Sequence, residues 1–267
     1  NGRRRGRGMN QEERRRYLIR ALLDENPRYR GWGIPDDPDE QRRLLRGLMN
    51  IRLPAPCSAR FLQTQDEYLR QALAERGVTD AETLVPVRPG LCLWQGDITT
   101  LRCDAIVNAA NSGMTGCYAP NHGCIDNAIH TYAGVQLRLA CAEIMERQGR
   151  PEPAGRAKIT PAFNLPCRWV LHTVGPVVAG RASARDCALL ADCYRACLTL
   201  AAEHELQSVA FCCISTGEFH FPNERAAEIA VETVQTFLWQ PTSVKKVIFN
   251  VFKDIDRKIY ERLLRAD

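Results

Sequence analysis

No run in these 267 residues approaches the eighteen consecutive apolar residues that a membrane-spanning helix needs, and no internal repeat divides the chain into similar units. An apolar signal segment is missing too, so the expectation is a cytoplasmic protein rather than a secreted one. Net charge is nearly absent once the first residues are set apart. Four arginines stand in residues 1–8, NGRRRGRG, without an acid; of the 36 Lys and Arg, that leaves 32 against 31 Asp and Glu. All but one unit of the formal charge of +5 therefore belongs to residues 1–8, expected to be a basic, disordered tail. An RNA contact through that tail is the competing reading. The rest of the chain offers no broad basic face, so neither nucleic acid nor membrane is expected as a partner.

Cysteine, by contrast, is plentiful: there are twelve. A chain of this length buries a core without covalent staples, so reduced thiols are expected, some packed as small apolar residues. The balance of 45% hydrophobic and 25% charged residues is that of an ordinary globular protein.

The pattern of elements changes along the chain. Residues 11–25 place Tyr17, Leu18, Ala21 and Leu22 on one helical face, and 39–49 and 63–75 read as two more helices. This gives a helical N-terminal region over 9–84, with nothing in it that resembles catalytic chemistry. From residue 89 onward short apolar runs alternate with longer helical patterns. Strands are predicted at 91–94, 105–107, 158–159, 169–174, 209–214 and 247–251. Helices are predicted at 126–132, 135–148, 184–205, 223–238 and 254–265. That alternation predicts a three-layer α/β/α domain over 85–267.

One stretch concentrates polar side chains. Residues 108–134, NAANSGMTGCYAPNHGCIDNAIHTYAG, run from a short apolar strand through a loop rich in Gly, Pro and Asn into a helix start. Within it, Cys117-x4-His122-x-Cys124 offers two thiolates and an imidazole. That donor set suits Zn²⁺ with a fourth position left open, although buried thiols beside a surface His would have the same spacing. Asp126 begins a helix and either caps it or projects a carboxylate into a site. Asn108 is expected to buttress the loop and Asn111 to face a ligand. Elsewhere, Asp97 follows a strand and a Gly, as a turn cap or as an acceptor at the sheet edge. Residues 215–219 lie before a helix that starts near Pro222, an anion site or an ordinary turn. His130, His172, His204 and His220 are expected to be structural.

Several phrases then occur in order: Gly96-Asp97-Ile98-Thr99, Val107-Asn108-Ala109-Ala110-Asn111, Ile125-Asp126-Asn127-Ala128-Ile129-His130, Asn164-Leu165-Pro166 with His172-Thr173-Val174-Gly175-Pro176, and Ile214-Ser215-Thr216-Gly217 with Phe221-Pro222. The set resembles the macrodomain family, modules that bind ADP-ribose, and the resemblance implies a mixed central sheet. The insert from Gly116 to Cys124 is similar to the zinc-dependent protein-ADP-ribose hydrolases of that family, often partnered with a sirtuin-type ADP-ribosyltransferase. The resemblance implies Zn²⁺ on Cys117, His122 and Cys124. Adenine would be held by the Asp97 carboxylate and the Ile98 amide, with Phe252 as a stacking candidate. The pyrophosphate would lie on Ser215, Thr216, Gly217, Glu218 and Phe219, with Glu218 acting through its backbone. The distal ribose would meet Asn111, the backbone of Cys124 and Ile125, and Asp126, with Asn111 and Asp126 as catalytic residues. Mono-ADP-ribosylated protein and free ADP-ribose are the expected partners. A non-catalytic reader of ADP-ribosylated protein, or a zinc loop that only orders the rim, remains open at this point.

Overall fold

The computed structural model describes residues 8–265, so the tail expected over residues 1–8 lies, apart from Gly8, outside the described residues. Helix α1 (Gln11–Glu25) begins at Asn10, whose side chain accepts the Glu13 amide while the Glu13 carboxylate accepts the Asn10 amide. Asp37 caps α2 (Pro38–Ile51), and Pro38 takes the first helical position, where its missing N–H costs nothing. Ser58 caps α3 (Ala59–Arg76), which starts earlier than its apolar pattern predicts because the cap, not the stripe, sets the first turn. The three helices bury Leu18, Ile19, Leu23, Leu45 and Phe61 in one cluster, and Val135 from the following α/β part completes it.

Two short strands, β1 (Thr79–Asp80) and β3 (Leu101–Arg102), pair in parallel; strands of two residues have no periodicity to read, and the sequence gives no sign of them. The main sheet has six strands: β2 (Leu91–Gln95), β4 (Ala105–Ala109), β5 (Ala157–Pro161), β6 (Trp169–Thr173), β7 (Ser208–Phe211) and β8 (Lys246–Val251). Their spatial order is β2-β8-β7-β4-β6-β5, parallel throughout except for β5 against β6. The sheet is therefore mixed, as expected. In β4 the residues from Ala105 to Asn108 are all buried, the mark of a strand covered on both faces. Helices α4 (Ile125–Ala133) and α5 (Val135–Gln148) follow β4, with α2 packed on α4; α6 (Ala184–Glu203), α7 (Asn223–Leu238) and α8 (Asp254–Arg265) pack side by side. Among the described residues no helix is long and apolar enough to cross a membrane.

Because β2, β4, β7 and β8 are parallel, their C-terminal ends open on one edge of the sheet, the place where open α/β sheets hold ligands. The strand predicted at 209–214 ends at Phe211, and Ser215 adopts φ 65°, turning the chain out across that edge. All twelve cysteines are free thiols, and Cys92, Cys103, Cys141, Cys167, Cys193, Cys197 and Cys212 are buried.

Candidate active site

The loop after β4 folds back on itself through Met114, Gly116 and Asn121, which take φ 63°, 93° and 56°. Gly116 has no room for a side chain: a Cβ there would stand 2.9 Å from the His130 ring. This folding brings Cys117, His122 and Cys124 together, each half-buried, with their ligand atoms within 4.8 Å of one another. The Cys117 Sγ to His122 Nδ1 distance is 3.6 Å. For Zn–S and Zn–N bonds of ordinary length at a tetrahedral angle, the two ligand atoms would stand about 3.6 Å apart. Burial pushes the Cys124 thiol up to about 12; the Asn127 amide draws it back, and Cys117 beside it adds to the rise. Two sulfurs that oppose each other's ionisation become a favourable pair only with a cation between them. The second nitrogen of His122, Nε2, lies 3.5 Å from the Glu218 carboxylate, the kind of partner that fixes a ligating imidazole. The residues present therefore fit a divalent ion of zinc's chemistry.

Asp126 sits in the first turn of α4, 5% exposed, and its Oδ1 accepts from Asn108 Nδ2 at 2.9 Å. Burial pushes its carboxyl up to about 6, against the pull of that hydrogen bond and of the Arg138 charge. Asn108 thus holds Asp126 from below; it does not buttress the loop, as its sequence position had suggested, because its side chain points inward from a fully buried strand. The same Nδ2 lies 3.2 Å from His172 Nδ1. With both amide hydrogens directed at acceptors, His172 keeps Nδ1 bare and carries its proton on Nε2, which faces Thr160 Oγ1 at 2.9 Å. His130, Cys141 and His172 form a second, wholly buried group, but His172 spends both ring nitrogens on these contacts and leaves no lone pair for a metal.

At the other end of the edge, Asp97 caps its turn: Oδ1 accepts from the Thr99 amide at 2.9 Å and the Thr99 hydroxyl at 2.6 Å. Its Oδ2 accepts from Arg76 Nη1 at 3.0 Å, and the Arg76 guanidinium lies 3.8 Å from the Tyr132 ring centroid. Both readings of Asp97 thus coexist, since Oδ1 spends both lone pairs on the turn while Oδ2 retains one for a further donor. The Ile98 amide has no protein partner among the described residues. Phe252 is 76% exposed just after β8.

In the 215–219 turn, Phe221 donates to the Ser215 carbonyl and His220 to that of Gly217, while the amides of Gly217, Glu218 and Phe219 stay without partners among the described residues. Consecutive unpartnered amides next to a helix start form an anion cradle. Gly175 permits it, since a Cβ there would come 1.9 Å from Ser215 Oγ. At the start of α4, Cys124 Sγ accepts the Asn127 amide at 3.3 Å and leaves those of Ile125 and Asp126 without partners among the described residues. Asn111, exposed on the loop, donates to the Gly116 carbonyl and accepts from the Gly113 amide, with one N–H and one lone pair remaining. The structure thus joins the Cys117–His122–Cys124 group to the 215–219 turn through the His122–Glu218 contact. Two participants escaped the sequence reading. The Glu218 carboxylate and Arg76 act on partners remote in sequence, and no local pattern points to either.

Comparison with known proteins agrees with this fold. The Macro domain family model matches residues 107–230. The chain is 57% identical over 260 residues to the protein-ADP-ribose hydrolase of Treponema medium, covering 96% of this chain and 100% of the relative. It is 48% identical over 253 residues to that of Staphylococcus aureus strain MSSA476, covering 94% and 95%. Among solved structures, the Trypanosoma brucei macrodomain in complex with ADP-ribose aligns with TM-score 0.64 and 31% identity over 86% of this chain and 97% of its own. With the fold, the loop phrases and full-length relatives in agreement, this chain belongs to the macrodomain family.

Proposed function

We propose that this chain is a zinc-dependent hydrolase that removes mono-ADP-ribose from modified protein side chains. That it is an enzyme of ADP-ribose hydrolysis follows from its full-length likeness to the two protein-ADP-ribose hydrolases. The metal part of the reading is supported by one observation above all: two thiols and an imidazole converge within 4.8 Å of one another, with Cys117 Sγ and His122 Nδ1 at tetrahedral spacing, in a loop that ends two residues before Asp126.

Cleavage at the anomeric carbon of the distal ribose passes through an oxocarbenium-like state, so the site must hold the sugar, serve the leaving oxygen and deliver water. The amides of Gly217, Glu218 and Phe219 hold the pyrophosphate, and the Asp97 carboxylate with the Ile98 amide holds the adenine. Binding energy gathered there, remote from the scissile bond, fixes the ribose. Cys117, His122 and Cys124 would hold zinc, which supplies Lewis acidity at the distal ribose when bound. The Glu218 carboxylate, 3.5 Å from His122 Nε2, favours the proton on that nitrogen and so leaves Nδ1 to ligate. Asp126, oriented by Asn108, takes the proton of the attacking water. Asn111 offers its remaining N–H and lone pair to the ribose hydroxyls.

Thiol ligands persist only where thiols stay reduced, which supports a cytoplasmic setting. The substrate class is protein carrying a single ADP-ribose, the product of an ADP-ribosyltransferase, and the insert's resemblance favours one of sirtuin type. The test uses protein bearing mono-ADP-ribose through defined carboxylate or Ser linkages. Release of ADP-ribose should occur with the zinc-loaded enzyme, stop on chelation and return with added zinc. Retention under every condition would leave a reader, and release unaffected by chelator would remove the metal from the chemistry.

A further inference from the structure

The last two turns of α2 place polar groups against the metal loop and its supporting helix. Arg46 donates through Nε and Nη2 to Asn127 Oδ1 at 3.3 and 2.9 Å, and through Nη2 to the His122 carbonyl at 3.5 Å. Asn127 in turn donates to the Ala119 carbonyl at 3.0 Å. Asn50, 2% exposed, accepts the Asn121 amide at 2.9 Å and donates to Thr131 Oγ1 at 3.0 Å. The carbonyls of Met49, Asn50 and Arg52 at the end of α2 accept from Arg138 Nη1, whose Nε and Nη2 reach the Thr115 and Cys117 carbonyls at 2.7 and 3.1 Å. A helix C-terminus, rich in unsatisfied carbonyls and partial negative charge, is a fitting seat for a buried guanidinium. Gly47 lets the helix backbone approach the loop tip, since a Cβ there would lie 3.1 Å from Asn121 Nδ2.

These contacts do not simply dock α2. Docking is carried by Leu45, Leu48 and Met49 in the apolar cluster shared with α1, α3 and Val135. Arg46, Gly47 and Asn50 meet the loop instead. The loop backbone is held at Thr115, Cys117, Ala119, Asn121 and His122, and each of these anchors leads to α2 directly or through Arg138 or Asn127.

We infer that α2 clamps the metal loop, and that Arg46 and Asn50 are positioning residues for Cys117, His122 and Cys124. The inference deepens the zinc reading above and rests on it for its effect on metal affinity, but the clamp itself can be measured without metal. Full-length Arg46→Met, which keeps the aliphatic stem, is compared with wild type by hydrogen exchange at the amides of residues 115–124 in metal-free protein. Zinc affinity is read by competition with a fluorescent chelator, and free ADP-ribose affinity by calorimetry. Exchange should accelerate about tenfold and zinc affinity fall about tenfold, the scale seen when partners of metal ligands are removed, with ADP-ribose affinity within about twofold of wild type. Arg46→Lys, which keeps the charge but cannot fork onto Asn127, should fall in the same direction and serves if Arg46→Met does not fold. Unchanged exchange in a folded variant overturns the clamp, as does unchanged zinc affinity in a protein that binds zinc. If wild type binds no zinc, the metal reading fails and the exchange data alone decide the clamp.

Discussion

At the scale of single residues, the buried polar groups beneath the site set its chemistry and its weakness. Among the described residues, Asn108 is the one side chain that donates to Asp126 within normal hydrogen-bond distance. Asn108→Ala should therefore leave a buried carboxylate unsatisfied, at about 2 kcal/mol of stability. A thermal melt should record the loss, and turnover should fall with it, whereas loss of stability with full turnover would exclude Asn108 as the holder of a working Asp126. The sequence offered the identities of Asn108 and Asp126 but not their pairing. Their hydrogen bond joins a strand to a helix across the loop, and neither periodicity nor capping rules describe such a contact.

His172 brings a pH dependence with a definite sign. Burial lowers it to about 4 from an ordinary value near 6.5, so the folded state resists a proton that the unfolded chain accepts. Stability is fully present above about pH 6.5 and is lost as pH falls toward 4, by up to about 3 kcal/mol for this residue. The groups that face it are Asn108 on β4, Thr160 on β5, Cys141 on α5 and His130 on α4. His130, lowered by burial and then by His172 and Arg138, acts in the same direction. Asp126, raised by burial, acts in the opposite one between about 6 and 3.8. With two histidines against one carboxyl, melting with chelator present should drop between pH 7 and pH 5, and His172→Asn should flatten that slope. A wild-type melt unchanged over this interval would refute the assignment.

At the scale of elements, the sequence was most legible where caps and apolar stripes agree. The expected bounds of α1, α5, α7 and α8 are those observed; in α1, for example, Asn10 and Glu13 close a capping box just ahead of the buried Leu18, Ile19 and Leu22. Legibility ended where tertiary contact decides. The 212–214 run reads as strand from its apolar residues, yet it leaves the sheet to deliver Ser215 at positive φ. The loop after β4 follows the same logic, and Gly116 is its tightest point. Gly116→Ala introduces a Cβ at φ 93° and 2.9 Å from His130. Strain of about 1–3 kcal/mol is expected, relieved by displacement of the loop. Zinc affinity should fall while free ADP-ribose binding changes little, a split that titration of each ligand would reveal.

At the scale of the whole molecule, the division at residue 84 drawn from the change in the pattern of elements describes how the chain is written more than how the cleft is assembled. Strand β1 pairs with β3 beyond it, Val135 completes the helical cluster, and Asn50 of α2 holds the loop that carries Cys117, His122 and Cys124. The end proposed for adenine repeats the pattern. Arg76, the last residue of α3, donates to Asp97 Oδ2 and stacks on Tyr132 of α4, so a helix outside the matched family region orients the acceptor proposed for adenine. Seen in sequence, Arg76 is one more basic residue at a helix end and nothing marks it. Arg76→Ala removes both of these contacts and a third, from Nη1 to Thr99 Oγ1 at 3.1 Å. Asp97 keeps the Thr99 amide and hydroxyl on Oδ1, so its turn should survive with little change in melting temperature. Its second oxygen loses its partner and becomes free to rotate toward solvent. Free ADP-ribose should then bind about three- to tenfold more weakly, the range expected when one charge-assisted hydrogen bond orients an acceptor. ADP should weaken equally and ribose 5-phosphate, which lacks adenine, not at all. An equal effect on ribose 5-phosphate would place Arg76 in general electrostatic attraction rather than at the adenine end.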